Sequence, residues 1–168
     1  LDLIADGEQA VVCGILEHIE EAGVHSGDSA AVLPPHHAAA GELDEMRVVA
    51  KRLALRLGVS GLMNVQFARH RGDLYVLEVN PRASRTAPYV SKATGVPLPK
   101  IAVGVMLGRK LKDFEHMIGE TDDGVLRPPK FFVKSPVFPF NKFPGVDPAL
   151  GLVVGLEAHG PGEVLGIV

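Results

Sequence analysis

Gly61-Leu62-Met63-Asn64-Val65-Gln66-Phe67-Ala68, followed after a short turn by Leu74-Tyr75-Val76-Leu77-Glu78-Val79-Asn80, is the stretch that decides the fold. Both segments alternate with period two, which predicts strands, and the Gly-containing turn between them predicts a β-hairpin. Taking Arg71-Gly72-Asp73 as a three-residue turn pairs His70 with Leu74, Gln66 with Glu78 and Asn64 with Asn80. Met63, Val65 and Phe67 then share a face with Tyr75, Leu77 and Val79. A slip by one residue would mix the faces, so the pattern favours this register. Leu62, Leu74 and Val76 do not fit it. The opposite face carries a polar strip of Asn64, Gln66, Glu78 and Asn80, with Arg82 and Arg85 just beyond.

Outward from the hairpin, Ala10 to Leu16 reads as a strand and Leu1-Asp2-Leu3-Ile4 as the middle of one. Ser29 to Leu33 predicts a short strand ended by Pro34-Pro35. Leu43 to Leu57 predicts an amphipathic helix whose apolar stripe is Met46, Val49, Leu53 and Leu57. Gly58 suits its left-handed cap. Val96 to Leu107 predicts a helix with Pro97 in its first turn, and Lys130 to Phe138 a strand. From Phe140 onward Pro and Gly predict a linker. The expected class is α+β: an antiparallel sheet flanked by helices, with an irregular C-terminal tail. The first domain runs over residues 1–139 and the linker over 140–168. With no initiator Met and a mid-strand opening, the chain is expected to be a piece of a longer protein.

Of the 168 residues, 46% are apolar and 22% charged, a globular rather than a disordered balance. The net charge of −3, with no basic block, argues against nucleic acid as the partner. No apolar run has membrane-spanning length, and no signal pattern opens the chain. The single Cys13 cannot form an internal disulfide, which fits a reducing cytoplasm. It lies in an apolar run and reads as core packing.

The polar strip has two readings. Oxygen ligands in a row suit a hard cation such as Mg²⁺ bridging to nucleotide phosphates, and two rim arginines suit a clamp on phosphate oxygens. Together they are the minimum equipment for phosphoryl transfer. Equally, the strip is what the wet face of an antiparallel sheet looks like. The sequence features are weaker elsewhere. Arg71-Gly72-Asp73 reads as a turn rather than an adhesion motif. His36-His37 lack partners at zinc spacing, and Ser26 and Ser29 lack a hydrolase triad.

The run Leu77-Glu78-Val79-Asn80-Pro81-Arg82-Ala83-Ser84-Arg85-Thr86 resembles the metal- and phosphate-binding signature of the carbamoyl phosphate synthetase family. Gly61 to Phe67, Gly23-Val24-His25-Ser26-Gly27-Asp28-Ser29, Val90 to Leu98 and Phe140 to Pro148 are similar to other blocks of its large subunit, in order. The resemblance implies the back lobe of an ATP-grasp ligase. His18-Ile19-Glu20 followed by Gly23-Val24-His25-Ser26 is closer to the second half of that subunit, which phosphorylates carbamate. By resemblance, Gln66, Glu78 and Asn80 are metal ligands for Mg²⁺ or Mn²⁺. Asn80, Arg82 and Arg85 are catalytic, the arginines facing the transferred phosphate and the carbamate. Gly23, Val24, His25 and Ser26 line the ATP pocket. A potassium ion is implied in the loop His18 to Ser29, with Glu20 and Ser29 as side-chain ligands; Glu21 stands where relatives often carry Gln.

The implied partners are the rest of the large subunit and a glutamine amidotransferase small subunit, in arginine and pyrimidine biosynthesis in the cytoplasm. After Gly151 the chain departs from the family pattern, before the expected start of a regulatory domain. The front lobe of the ATP-grasp fold is not expected within these residues. The alternatives are a catalytically silent fragment and the back lobe of another ATP-grasp ligase.

Overall fold

The structure is a computed structural model that describes residues 1–119, 121, 126, 128 and 130–136, and the backbone of 163–167. Strands β1 (Asp2–Asp6) and β2 (Ala10–Gly14) form a hairpin, followed by the short β3 (Glu17–His18) and β4 (Ala31–Leu33). Helix α1 (Ala40–Arg56) leads into β5 (Ser60–His70) and β6 (Asp73–Asn80). Helices α2 (Ala87–Thr94) and α3 (Leu98–Met106) follow, then a 3₁₀ turn (Leu111–Phe114), the single-turn α4 (Glu115–Ile118), β7 (Phe132–Pro136) and β8 (Glu163–Ile167). The strands make two four-stranded antiparallel sheets, ordered β2-β1-β5-β6 and β3-β4-β7-β8. This is the α+β arrangement that the alternation predicts. The Phe140 to Pro148 block lies outside the described residues. Within the segment read as a linker, Glu163–Ile167 pairs with β7.

Both faces of the first sheet are covered. On one, Leu3, Met63 and Val65 pack against Ala50 and Ala54 of α1. On the other, Ile4 and Leu62 pack against Ile101, Ala102 and Val105 of α3 and Val90 of α2. Leu62 therefore breaks the one-sided pattern because its own face is also core. Burying each such side chain stabilises by roughly 1.5–3 kcal/mol. Cys13 is fully buried in this second layer, and burial pushes its thiol pKa up, as core packing requires.

The hairpin differs from the expected one in an informative way. Its turn has two residues, Arg71 and Gly72, both at positive φ (53° and 93°), the signature of a type I′ turn. His70 therefore pairs with Asp73, one residue off the predicted register. A β-bulge between Gln66 and Phe67 then leaves Leu77 unopposed and restores Gln66 opposite Glu78 and Asn64 opposite Asn80. The two departures cancel before the polar strip begins.

Other expectations need correction. The buried stripe of α1 centres on Ala50 and Ala54, and Leu57 is 57% exposed. The small alanines let the helix lie close to the sheet. Tyr75 and Leu77, expected on the apolar face, are about half exposed (48% and 49%), because β6 is an edge strand. Pro97 caps α3 from outside, and Pro99 sits in its first turn. Helix α2, eight residues long, had no sequence expectation; it is too short to show a period.

Candidate functional site

The second face of the first sheet changes character along its strands. Opposed pairs run from Ile4–Leu62, under the helices, to Asp2–Asn64 and then Gln66–Glu78. Core gives way to buried polar groups and then to an open polar strip. Gln66 is half-buried, Glu78 exposed and Asn80 half-buried. Among the described residues Glu78 makes no ion pair.

Beneath the strip lies a buried carboxylate. Asp2, 2% exposed, accepts hydrogen bonds from Asn64 Nδ2 (3.0 Å), Ser84 Oγ (2.7 Å) and Thr86 Oγ1 (2.6 Å). Three donors offset the cost of burying the charge. Ser84 Oγ in turn accepts from the Ala87 N–H at 2.9 Å, at the start of α2. The loop between β6 and α2, which carries Arg82 and Arg85, is thereby tied to β1. Arg82 is held at its near end: Nη2 donates to Asn80 Oδ1 (3.2 Å) and Nη1 to Ala83 O (3.0 Å). Asn80, expected as a metal ligand, presents its oxygen to Arg82 in this arrangement.

Arg85 reaches the loop before β4. Its guanidinium donates to Asp28 Oδ1 and Oδ2 at 3.2 and 3.5 Å, and Nη2 lies 2.5 Å from His25 Nδ1. The Gly27 N–H also donates to Nδ1, at 3.0 Å. With two donors converging on Nδ1, that atom is an acceptor and the ring proton sits on Nε2. Gly27 lets Arg85 lie close to the loop: a Cβ there would stand 2.3 Å from Arg85 Nε, and the arginine would have to shift. Gln66 Nε2 donates to Val24 O at 3.4 Å, joining the loop to the strip. The structure thus gathers Val24, His25, Arg85, Gln66 and Glu78 on one side of the sheet. Gly23 is exposed and Ser26 buried.

A cleft of about 340 Å³ opens beside these groups, lined in part by His18, Glu20, Ser26, Asn64, Gln66 and Thr86. Burial lowers the His18 pKa, so the ring is neutral at neutral pH. Oε2 of Glu20 is buried and finds no hydrogen-bond donor among the described residues. Such an orphaned carboxylate oxygen fits a bound cation. Ser29 Oγ, also buried, donates to His25 O at 3.1 Å and keeps its acceptor capacity. Among the described residues His36 and His37 belong to no cluster that could hold a metal, and their backbone N–H groups donate to Glu17 Oε2 at 2.7 and 2.8 Å.

The donor set fits a hard cation only with help. The strip offers one carboxylate and neutral amides, and no group of three His, Cys, Asp or Glu that could hold a metal exists among the described residues. An ion here would need further oxygens, such as those of a nucleotide. Asp2, Thr86, Asp28 and Lys134 were not singled out from sequence, and Asn64 was read only as a member of the polar strip. Asp2 and Lys134 show in the sequence only as a charge within an apolar strand, which does not name their partners. The others required the fold.

The model of the carbamoyl-phosphate synthase L chain, ATP binding domain, matches residues 1–114. Over 99% of its length the chain is 54% identical to the carbamoyl phosphate synthase large chain of Acidobacterium capsulatum, 53% to that of Pasteurella multocida and 47% to that of Methanocorpusculum labreanum. In each case it spans 15% of the relative. Among solved structures, 82% of the chain superposes on 32% of the biotin carboxylase domain of a single-chain bacterial carboxylase, with a TM-score of 0.68 at 17% identity. A similar fit, 82% of this chain on 28% of the other, TM-score 0.63 at 16% identity, relates it to the biotin carboxylase domain of Hydrogenobacter thermophilus 2-oxoglutarate carboxylase, solved with MgADP and bicarbonate. These likenesses establish the ATP-grasp type of fold.

Proposed function

The chain belongs to the carbamoyl-phosphate synthase large-chain family, through its ATP-binding domain, and on that premise we propose that it is the back lobe of the half that phosphorylates carbamate. A carbamate oxygen attacks the γ-phosphorus of ATP, the bond to the β,γ-bridging oxygen breaks, and carbamoyl phosphate and ADP leave. The carrying observation is the Gln66–Glu78 pair on an open sheet face, tethered through Gln66 to Val24, next to the His25 that meets Arg85.

On this reading Glu78 and Gln66 hold Mg²⁺ or Mn²⁺, which neutralises phosphate charge when bound. Arg82 and Arg85 present planar forks to the transferred phosphate and to carbamate. Asn80 orients Arg82 through Oδ1, and that oxygen would be free for the metal once Arg82 turned to substrate. Val24 and His25, with Gly23 and Ser26, border the nucleotide. Glu20 and Ser29 hold potassium. Assignment to the second, carbamate half rests on the His18-Ile19-Glu20 and Gly23 to Ser26 runs. The pathway placement, in arginine and pyrimidine synthesis, and the partners, the rest of the large chain and a glutamine amidotransferase subunit in the cytoplasm, follow from the same premise. No helix among the described residues is long and apolar enough to cross a membrane. The 168 residues taken alone supply one side of the nucleotide and should not turn over ATP.

The test uses a chimera in which residues 1–168 replace the matching segment of the Acidobacterium capsulatum large chain. ATP formation from carbamoyl phosphate and ADP is measured. Glu78→Gln keeps the shape and removes the charge, and should lower the rate by about 10²-fold or more. An undiminished rate in the variant would sink the assignment.

A further inference from the structure

Three carbonyl oxygens of the loop before β4 converge on one buried point, and an ammonium occupies it. Lys134 Nζ donates to Ser26 O (3.1 Å), Gly27 O (3.0 Å) and Ser29 O (2.8 Å). The side chain is wholly buried, at 0% exposure. Three carbonyls match the three N–H donors of a lysine. Burying an ammonium is costly unless it is hydrogen-bonded this fully. The lysine comes from the middle of β7, where its backbone pairs with Ala31 of β4 and Leu165 of β8. The strand is therefore held on both edges.

The opposite side of the same loop is the one that meets Arg85. His25 and Asp28 contact the guanidinium, and Gly27 packs beneath it. The loop is thus gripped between an arginine on one side and a buried lysine on the other. Nothing else described gathers those three carbonyls. Without a cation they would point at one another and repel.

We infer that Lys134 is a positioning residue, a tethered internal cation that sets the backbone of Ser26–Ser29 and so aims His25 and Asp28 at Arg85. It touches no substrate. The inference deepens the proposed function, since it rests on Arg85 serving the phosphate. It assigns to β7, in the second sheet, control over a side chain that leaves the first. It also distinguishes two cation positions in one loop: the carbonyl point filled by Lys134, and the Glu20 oxygen that has no hydrogen-bond partner among the described residues.

Lys134→Ala and Lys134→Met separate charge from bulk. Alanine leaves a hole beside three carbonyls that methylammonium fits; methionine fills the hole without a charge. In the chimera, both variants should lose about 10²-fold in kcat for ATP formation, the cost of a misplaced catalytic group, with the KM for ADP little changed. Methylammonium should restore Lys134→Ala and leave Lys134→Met low. In the 168-residue chain, amide exchange at Gly27, Asp28 and Ser29 should quicken in both variants. Methylammonium should slow it again only in Lys134→Ala. If Lys134→Ala unfolds, its Tm with and without methylammonium gives the same reading, a rise for alanine and none for methionine.

Parental kcat and parental exchange in Lys134→Met would overturn the inference, and so would equal rescue of both variants. A parental chimera that makes no ATP would overturn the proposed function instead, leaving the exchange measurement to decide the role of Lys134.

Discussion

The two ends of the β5–β6 hairpin follow one alternation rule and meet opposite environments. At the end near the site, Met63 and Val65 are fully buried and Val79 packs partly against them. At the tip end, Tyr75, Val76 and Leu77 are 48%, 43% and 49% exposed. Alternation states which side chains share a face; it does not state whether anything covers that face. β5 lies between β1 and β6 and is covered by helices on both sides, whereas β6 is an edge. The bulge at Leu77 marks the border, adding twist where cover ends.

The largest effect that would sharpen this comparison is Met63→Ala. It should lower stability by about 2–5 kcal/mol, the range for emptying a packed core position. The denaturant midpoint should fall with little change in slope. A loss under about 1 kcal/mol would mean that the near end is loosely packed, since it falls below the range for emptying a packed core position.

Acid should also find the near end. Asp6 closes β1 opposite Ser60, with Oδ1 accepting the N–H groups of Glu8 and Gln9 and Oδ2 that of Leu111. Burial alone would raise its pKa, but these donors outweigh burial and hold it below the usual value. A depressed pKa means that the stabilisation is complete above the unfolded value of about 3.9 and is lost as pH falls through the lower folded one. Asp6→Asn should therefore cost about 1–3 kcal/mol at neutral pH. The gap to the parent should close in strong acid. A gap that is constant across a pH series of urea titrations would refute the linkage.

The smallest effect belongs to the tip. Leu77→Ala should change stability by no more than about 0.5 kcal/mol, and cross-strand contacts should still place Gln66 opposite Glu78. If it cost as much as Met63→Ala, the tip would be covered and the two ends would not differ.

Much of the fold was legible because period and punctuation speak locally. The strands around Gly61 to Asn80, the helix before Gly58 and the pairing of Gln66 with Glu78 all follow from spacing. That last pairing was reached through a turn one residue too long and a bulge that alternation cannot reveal. Of the candidate site, the placement of Gln66 opposite Glu78 on one face was legible. Its supports were not: Asp2 is one aspartate in an apolar strand until Ser84 and Thr86 are brought to it, and Lys134 has backbone partners, which leave no mark on residue identity. Helix α2 escaped because eight residues give too few turns to display a stripe.

The buried Asp2 also bears on the order in which the chain can assemble. Its hydrogen bonds join residues 62, 82 and 84 positions apart, and those of Lys134 join residues 105, 107 and 108 apart. Contacts of such long range require loop closure before they contribute anything, and they slow folding. No local segment can hold the arginine loop or the His25 loop in place on its own. Both loops are set in their final place only once distant parts of the chain have met, so the geometry of the candidate site is among the last things this chain can build and the first to be lost when it opens.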